Sequence, residues 1–474
     1  MNKNDEITKK ERFIFASADI YGGGGQTIIS VIYLAFLIQI INLSPGLAGT
    51  LMMISKAWDA INDPLMGMIS DRTKTKIGRR RPYILIGGIL LIPAIALLWL
   101  PNGLALEWQK ATYMLITFLF YHTINTIIAV PYSALSTEIT NDFQERNKVN
   151  LTRLIFSLSS TAICTLVPTM LFERVTDGEM TYLTFYFIIV LVFGSLFAIP
   201  NVLVGFFTKE RATFVEPEKF SFKQFFSPLK IKSFRKLVFM YIAQAIALDM
   251  TSAVILFYGL YVVNISSTIF LGIFLGTQIL MYPFLYKMVN KVSKAKIYYF
   301  GLPLTALASI FIAFYPTTFP VWGLYLIVVL AAIGFAGALL MSWIIFPDVV
   351  DIIELKEKER NTGVASGVMT LIRTASSAIS VFIIGWVLQL TGFITPTDDI
   401  PRPEQPTSAV LGIRMVIVLA LCILVMIGYF VARSLKINPE ISKDIKYLNE
   451  KRNSDDKLTE EEIERQENYI KELC

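Results

Sequence analysis

The chain has 474 residues, 54% of them hydrophobic and only 17% charged, with a mean hydropathy of +0.57 and a formal net charge of +6. A soluble chain would carry about 25% charged residues, so this composition points away from a water-soluble globular protein and toward a polytopic helical membrane protein. One histidine, His122, and three scattered cysteines (Cys164, Cys422 and Cys474) offer no metal-ligand spacing, redox pair or His-based catalytic set, so neither an enzyme nor a cofactor is expected.

Apolar runs of about 20 residues, each long enough to cross a bilayer, recur along nearly the whole chain. The N-terminal stretch, residues 1–13, is too polar for a cleaved signal peptide. Six spans are expected at about 14–42, 45–70, 82–101, 110–137, 147–172 and 181–207, forming an N-terminal bundle over 14–207. A polar connection rich in Pro and Lys, 208–235, leads to six more at about 236–263, 267–290, 295–316, 319–347, 361–391 and 408–434. The second bundle is thus 236–434, and a tail follows over 435–474. Bases gather in the loops after spans 2, 4, 6, 8 and 10, which places both termini in the cytoplasm of a cell (plasma) membrane protein. They set topology and do not suggest nucleic-acid binding.

Span 1 opens with Asp19 and carries Gly22, Gly23, Gly24 and Gly25 in succession. Four glycines inside a membrane helix let a ligand or another backbone come close, and a ligand approach or flexible gate is expected there. Span 2 carries the most informative pattern: Lys56, Trp58, Asp59, Asn62, Asp63 and Pro64 within an apolar helix. A carboxylate deep in a membrane costs several kcal/mol, about 3 on lenient scales. Two at i, i+4 with Asn at i+3 put three polar side chains on one face. Like charges so close share a site poorly unless a cation or proton joins them, so this face is expected to bind a cation. Pro64 removes a backbone donor and leaves nearby carbonyls as further oxygen ligands.

The loop after span 2 holds Asp71, Arg72, Arg79, Arg80 and Arg81. Asp71 paired to a base such as Arg80 is a candidate gate, as is Asp351 at the end of span 10 beside Asp348 and Glu354. Span 4 contains Thr126, whose hydroxyl can bond its own helix, and Pro131, a candidate bend. Arg153 in span 5 and Arg373 in span 11 lie a few residues inside apolar runs. They can snorkel to the interface or aim a forked donor at a polar substrate or at the carboxylates of spans 1 and 2. Thr374 to Ala378 are small, which favours an inward position for Arg373. Asn264 begins a sequon in an outer loop. In the tail, Thr459 and Glu462 have capping-box spacing, and a short solvated helix is expected.

The stretch LSPGLAGTLMMISKAWDAINDPLMGMISDRTKTKIGRRRP, residues 43–82, resembles the glycoside–pentoside–hexuronide:cation symporters of the major facilitator superfamily. VPYSAL after Thr126, the Glu145-Arg146 pair, Arg153 and VVDIIELKEKERNTGVASGVMTLIR extend the resemblance over about residues 13–435. It implies an all-α, major-facilitator-like fold of twelve transmembrane helices in two six-helix bundles, with Asp59, Asn62, Asp63 and Thr126 as the coupling-cation site. It also implies that Arg153 and Arg373 lie near the sugar or the central charge network, and that Lys56 and Trp58 keep the family's base and aromatic before the first acid. Two positions depart from relatives: span 1 usually carries an acid where Gly25 stands, and one galactoside-carrying member has an acid where Ala129 stands.

The expected function is therefore import of a sugar or glycoside by alternating access, coupled to Na⁺ or H⁺ at a site with no other metal. A monomer in the lipid bilayer is the expected unit. An exporter or carrier of an amphipathic solute or lipid is the alternative, which the missing sugar acids suit.

Overall fold

A computed structural model describes the chain except residues 1–6, 141, 212–224, 290, 359–361, 397–399, 401 and 455–458 and the side chain of Phe143. The lysines and proline expected at 217–223 and Arg360 lie outside the described residues. Among the described residues, twelve long helices follow in order. The first six are α1 Lys9–Gln39, α2 Pro45–Arg72, α3 Arg81–Trp99, α4 Glu107–Glu138, α5 Phe143–Thr176 and α6 Tyr182–Phe207. The second six are α7 Lys232–Val263, α8 Ser267–Met288, α9 Lys294–Ala313, α10 Val321–Glu357, α11 Thr362–Leu390 and α12 Thr407–Arg433. Two more helices, α13 Pro439–Asn453 and α14 Glu460–Leu473, form the tail.

Eleven of the twelve are long and apolar enough to cross a membrane by composition alone; α2 is the exception. Its shortfall has a direct cause, because Lys56, Asp59, Asp63, Asp71 and Arg72 all sit on this one helix. Helix starts are capped as their sequences dictate. The Thr8 hydroxyl accepts from Glu11 N at 3.1 Å, the Asp142 carboxylate from Glu145 N at 2.9 Å, and Pro45 takes the first turn of α2, where no donor is needed. Pro64, Pro131 and Pro347 lie inside continuous helices. Short π-helical turns interrupt α1 at Ile29–Tyr33, α6 at Ile188–Phe193 and α12 at Leu419–Leu424, and another ends α7 at Gly259–Val263.

By contacts, the chain forms two units. The first comprises Met1–Glu218, Ile255–Leu271 and Val381–Gly412; the second comprises Lys219–Val254, Gly272–Ser380 and Ile413–Cys474. These units do not coincide with a division at 208–235, because the α7–α8 turn and the end of α11 cluster with the first six helices. Glu173 of α5 explains the first case. Its carboxylate accepts bonds from the Ser266 hydroxyl (2.9 Å), the Thr268 hydroxyl (2.9 Å), Thr268 N (3.2 Å) and Ser267 N, satisfying the first donors of α8. Gly49 and Gly385 explain the second, since a Cβ on Gly49 would lie 3.1 Å from Gly385 Cα. Gln389 and Trp386 add bonds to Gly46 N (3.3 Å) and the Thr50 hydroxyl (3.2 Å).

Within the first unit α1 packs on α5, α2 on α4, and α3 against both α4 and α6. In the second, α9 lies against α10 and α12, and the tail against α10. The expected solvated helix is in fact a pair of helices seated on the molecule. Leu473, Ile445 and Leu448 are buried, Leu473 O accepts from the Ser233 hydroxyl at 2.7 Å, and Asn449 donates to Asp351 O at 2.9 Å. The capping box is present, with Thr459 N bonded to the Glu462 carboxylate at 2.7 Å.

Candidate functional site

The α2–α4 contact brings the span 2 acids to span 4. Asp59 is 8% exposed and Thr126 is wholly buried. The Thr126 hydroxyl donates to Asp63 Oδ1 at 2.8 Å, so it bonds a carboxylate on the neighbouring helix instead of only a carbonyl of its own. Asp59 Oδ1 and Asn62 Nδ2 are buried without a hydrogen-bond partner among the described residues. Unpaired polar atoms in a buried setting cost about 1–3 kcal/mol each, and an ion brought to this face would recover that cost at Asp59. The donor set, two carboxylates with an amide and a hydroxyl, suits a hard monovalent cation or a proton.

His122 completes the picture and was missed in the sequence. Its Nδ1 lies 2.8 Å from Asp59 Oδ2, and the ring is fully buried. It sits four residues before Thr126 on α4, so helical spacing from Thr126 was the signal that could have found it. Lys56, one turn before Asp59, is also buried. Nearby, the Tyr21 hydroxyl reaches Asn125 Oδ1 at 2.9 Å and the Tyr121 hydroxyl at 3.3 Å, which ties α1 to α4 beside the acids.

The two arginines each meet an acid of their own half. Arg153 Nε donates to Asp19 Oδ2 at 2.5 Å, with the guanidinium 4.7 Å from the centre of the Tyr132 ring. Arg373 makes a forked pair with Asp249 of α7, at 2.5 and 2.8 Å. Asp249 is 6% exposed. It was legible by the rule applied to span 2, an acid inside an apolar run, but was not singled out. Helices 1 and 5 thus carry one buried Asp–Arg pair and helices 7 and 11 another.

The remaining expected residues are placed as follows. Trp58 is 38% exposed and donates to the Thr123 hydroxyl at 3.0 Å. Ala129 is exposed on α4. Gly25 is buried against the Tyr21 ring, where a Cβ would come 2.5 Å from the nearest ring carbon. Gly23 and Gly24 face Ser157 and Ser160 of α5 too closely for any Cβ. Gly23 and Gly24 thus serve the crossing of α1 with α5, while Gly22 is exposed.

At the Lys/Arg-rich end, Asp71 pairs with Arg80, which also reaches Glu138 (3.1 Å) and the Ser70 hydroxyl (2.6 Å). Glu210 accepts from the backbone N–H groups of Arg79, Arg80 and Arg81 at 2.8, 2.8 and 3.2 Å. The Asp71–Arg80 contact thus joins α2, α3 and α4 within one unit. In the second unit Asp348 is paired with Lys294 at 2.7 Å, and Asp351 is half-buried beside the tail.

Long helices that carry buried carboxylates and guanidinium groups through otherwise apolar segments suit a multi-pass membrane transporter. The family model described as MFS/sugar transport protein matches residues 14–439, and the chain belongs to that family. It is similar to the uncharacterized symporter sll1374 of Synechocystis sp., 24% identical over 500 residues covering 86% of this chain and 91% of the relative. It is also similar to sodium-dependent lysophosphatidylcholine symporter 1-B of Danio rerio, 24% identical over 89% of this chain and 86% of that one. The fold matches a bacterial homolog of the human lysosomal transporter Spinster, solved inward-facing and unoccupied, with a TM-score of 0.66 at 13% identity, covering 90% of this chain and 98% of that chain. The protein is a symporter of the major facilitator type.

Proposed function

We propose that this symporter imports a sugar or glycoside across the plasma membrane, driven by Na⁺ or H⁺ held at Asp59, Asn62, Asp63 and Thr126, with both termini in the cytoplasm. The observation that carries this reading is the buried α2–α4 contact, where Thr126 bonds Asp63 while Asp59 Oδ1 lies beside it without a hydrogen-bond partner among the described residues. Cation binding relieves repulsion between the two acids and draws α2 toward α4. Solute affinity rises with it, and by linkage the solute raises cation affinity by the same factor. The two six-helix halves rock about the solute in alternating access. The sugar reading is supported by the family description, and sodium by the name of the Danio rerio relative.

A second reading, transport of an amphipathic solute or lysolipid, is favoured by Gly25 and Ala129 standing where sugar-binding acids are expected, and by that same relative. Uptake into proteoliposomes separates the two. Labelled glycosides, pentosides and hexuronides are run beside a labelled lysophospholipid, each with an inward Na⁺ gradient, an inward H⁺ gradient or neither. Gradient-driven accumulation of a glycoside supports the first reading; accumulation of only the lysolipid replaces it with the second. Accumulation that survives Asp59→Asn with Asp63→Asn removes the cation site.

A further inference from the structure

Some bases at the Lys/Arg-rich end are matched to acids: Arg80 meets Asp71 and Glu138, Arg211 meets Glu11, Arg12 meets Glu145, and Lys294 meets Asp348. At one place, by contrast, several bases converge on a single cleft. A cleft of about 1450 Å³, counting its open mouth, lies where α9 begins, α12 ends and α13 begins. Lys291, Lys296, Arg433, Lys436 and Lys443 line it against a single acid, Glu440. Lys436 reaches Glu472 at 2.8 Å, whereas the other four bases make no ion pair among the described residues.

The walls are held in place. The Ser293 hydroxyl donates to Ile437 O at 3.0 Å, Leu435 and Ile437 are buried, and Tyr299 meets Tyr429 edge-on with ring centres 5.5 Å apart. The connection from α12 to α13 is therefore pinned to the α8–α9 turn, and the bases cannot simply drift apart. The first turn of α13, capped by Asn438, also opens on the cleft and adds the positive end of its dipole. Apolar surface runs up to the rim: Phe300 is 85% exposed and Phe430 62%, one turn or less from the cleft lining. Bases in a cleft beside exposed aromatics match a phosphodiester at a bilayer interface, where acyl chains would lie along the helices.

We propose that this cleft binds a phosphate-bearing anion, namely the headgroup of an anionic phospholipid in the adjoining leaflet. The inference is independent of the transported solute. A bound headgroup neutralises the crowded bases and joins α9, α12 and the tail to the membrane surface.

The test uses the purified full-length protein and native mass spectrometry. Dioleoylphosphatidylglycerol, dioleoylphosphatidylcholine and inorganic phosphate are titrated separately against wild type, a neutralised variant (K291Q, K296Q, R433Q, K443Q) and a charge-keeping variant (K291R, K296R, R433K, K443R). Attraction of this kind is worth about fivefold in affinity per base at low salt. Phosphatidylglycerol is expected to bind wild type and the charge-keeping variant well over tenfold more tightly than the neutralised variant, and to weaken in high salt. Phosphatidylcholine is expected to show no such difference. Displacement of phosphatidylglycerol by millimolar inorganic phosphate, with the same dependence on the four bases, would reassign the cleft to a soluble anion and overturn the lipid headgroup. Equal phosphatidylglycerol binding by wild type and neutralised protein would overturn the site altogether.

Discussion

Thr126 gives its only hydroxyl proton to Asp63, and that bond fixes one acid while the other keeps an oxygen without a hydrogen-bond partner among the described residues. A hydrogen bond to a charged acceptor is worth about 1.5–3 kcal/mol. Thr126→Val is therefore expected to weaken cation activation of uptake about tenfold or more, while Thr126→Ser, which keeps the hydroxyl, stays within about threefold. The check is half-maximal cation concentration in proteoliposome uptake. The span 2 face was legible because i, i+4 spacing and the cost of buried charge are local arguments. His122 was not, since one ring in an apolar run carries no charge pattern of its own. Only the packing of α4 on α2 sets it beside Asp59.

Two elements carry tests of their own. Gly23 and Gly24 of α1 meet α5 so closely that side chains there must displace Ser157 and Ser160. Overpacking of this kind costs about 1–3 kcal/mol. Gly24→Val should lower the midpoint of thermal unfolding by several degrees, whereas Gly103→Val, with nothing within 4 Å of its Cβ, should leave it unchanged. The crossing at Gly23 and Gly24 was not legible in the sequence, because Ser157 and Ser160 lie more than 100 residues away.

The tail is the second element. Lys451, at 2.7 Å, and the Thr459 N–H hold the Glu462 carboxyl at about 2, below its ordinary 4.5. A depressed acid stabilises the folded tail above pH 4.5, and that contribution is lost as pH falls from there through about 2. Protection factors for hydrogen exchange at residues 460–473, taken against the intrinsic rate at each pH, should fall over that interval in wild type. In Glu462→Gln protection should be lower already at pH 7 and change less on acidification. The cap itself was readable from Thr459 and Glu462; the docking was not, since Ser233 and Asp351 lie far off in sequence.

At the scale of the whole chain, one buried Asp–Arg pair joins α1 to α5 and another joins α7 to α11. Removing one partner of a buried pair leaves a charge without compensation and costs about 3–5 kcal/mol. Asp249→Asn should therefore destabilise the protein by that order, and Asp249→Asn with Arg373→Gln should recover much of it. Fluorescence-detected thermal unfolding in detergent reads both. Recovery in the double variant without recovery of uptake would separate a transport role for Arg373 from its structural one.

The chain by itself determined the number and order of the spans, the end at which the bases gather, and the face of α2 that holds the acids. Hydropathy, loop charge and helical spacing act over tens of residues or fewer, so each is written in a short stretch. Tertiary structure alone decided which base answers which acid, what faces Gly23 and Gly24, where the tail sits, and that 255–271 and 381–412 cluster with the first six helices. Those outcomes depend on distances of a few ångströms between residues on different elements, many of them far apart in sequence, where Coulomb attraction and close packing act and local pattern is silent.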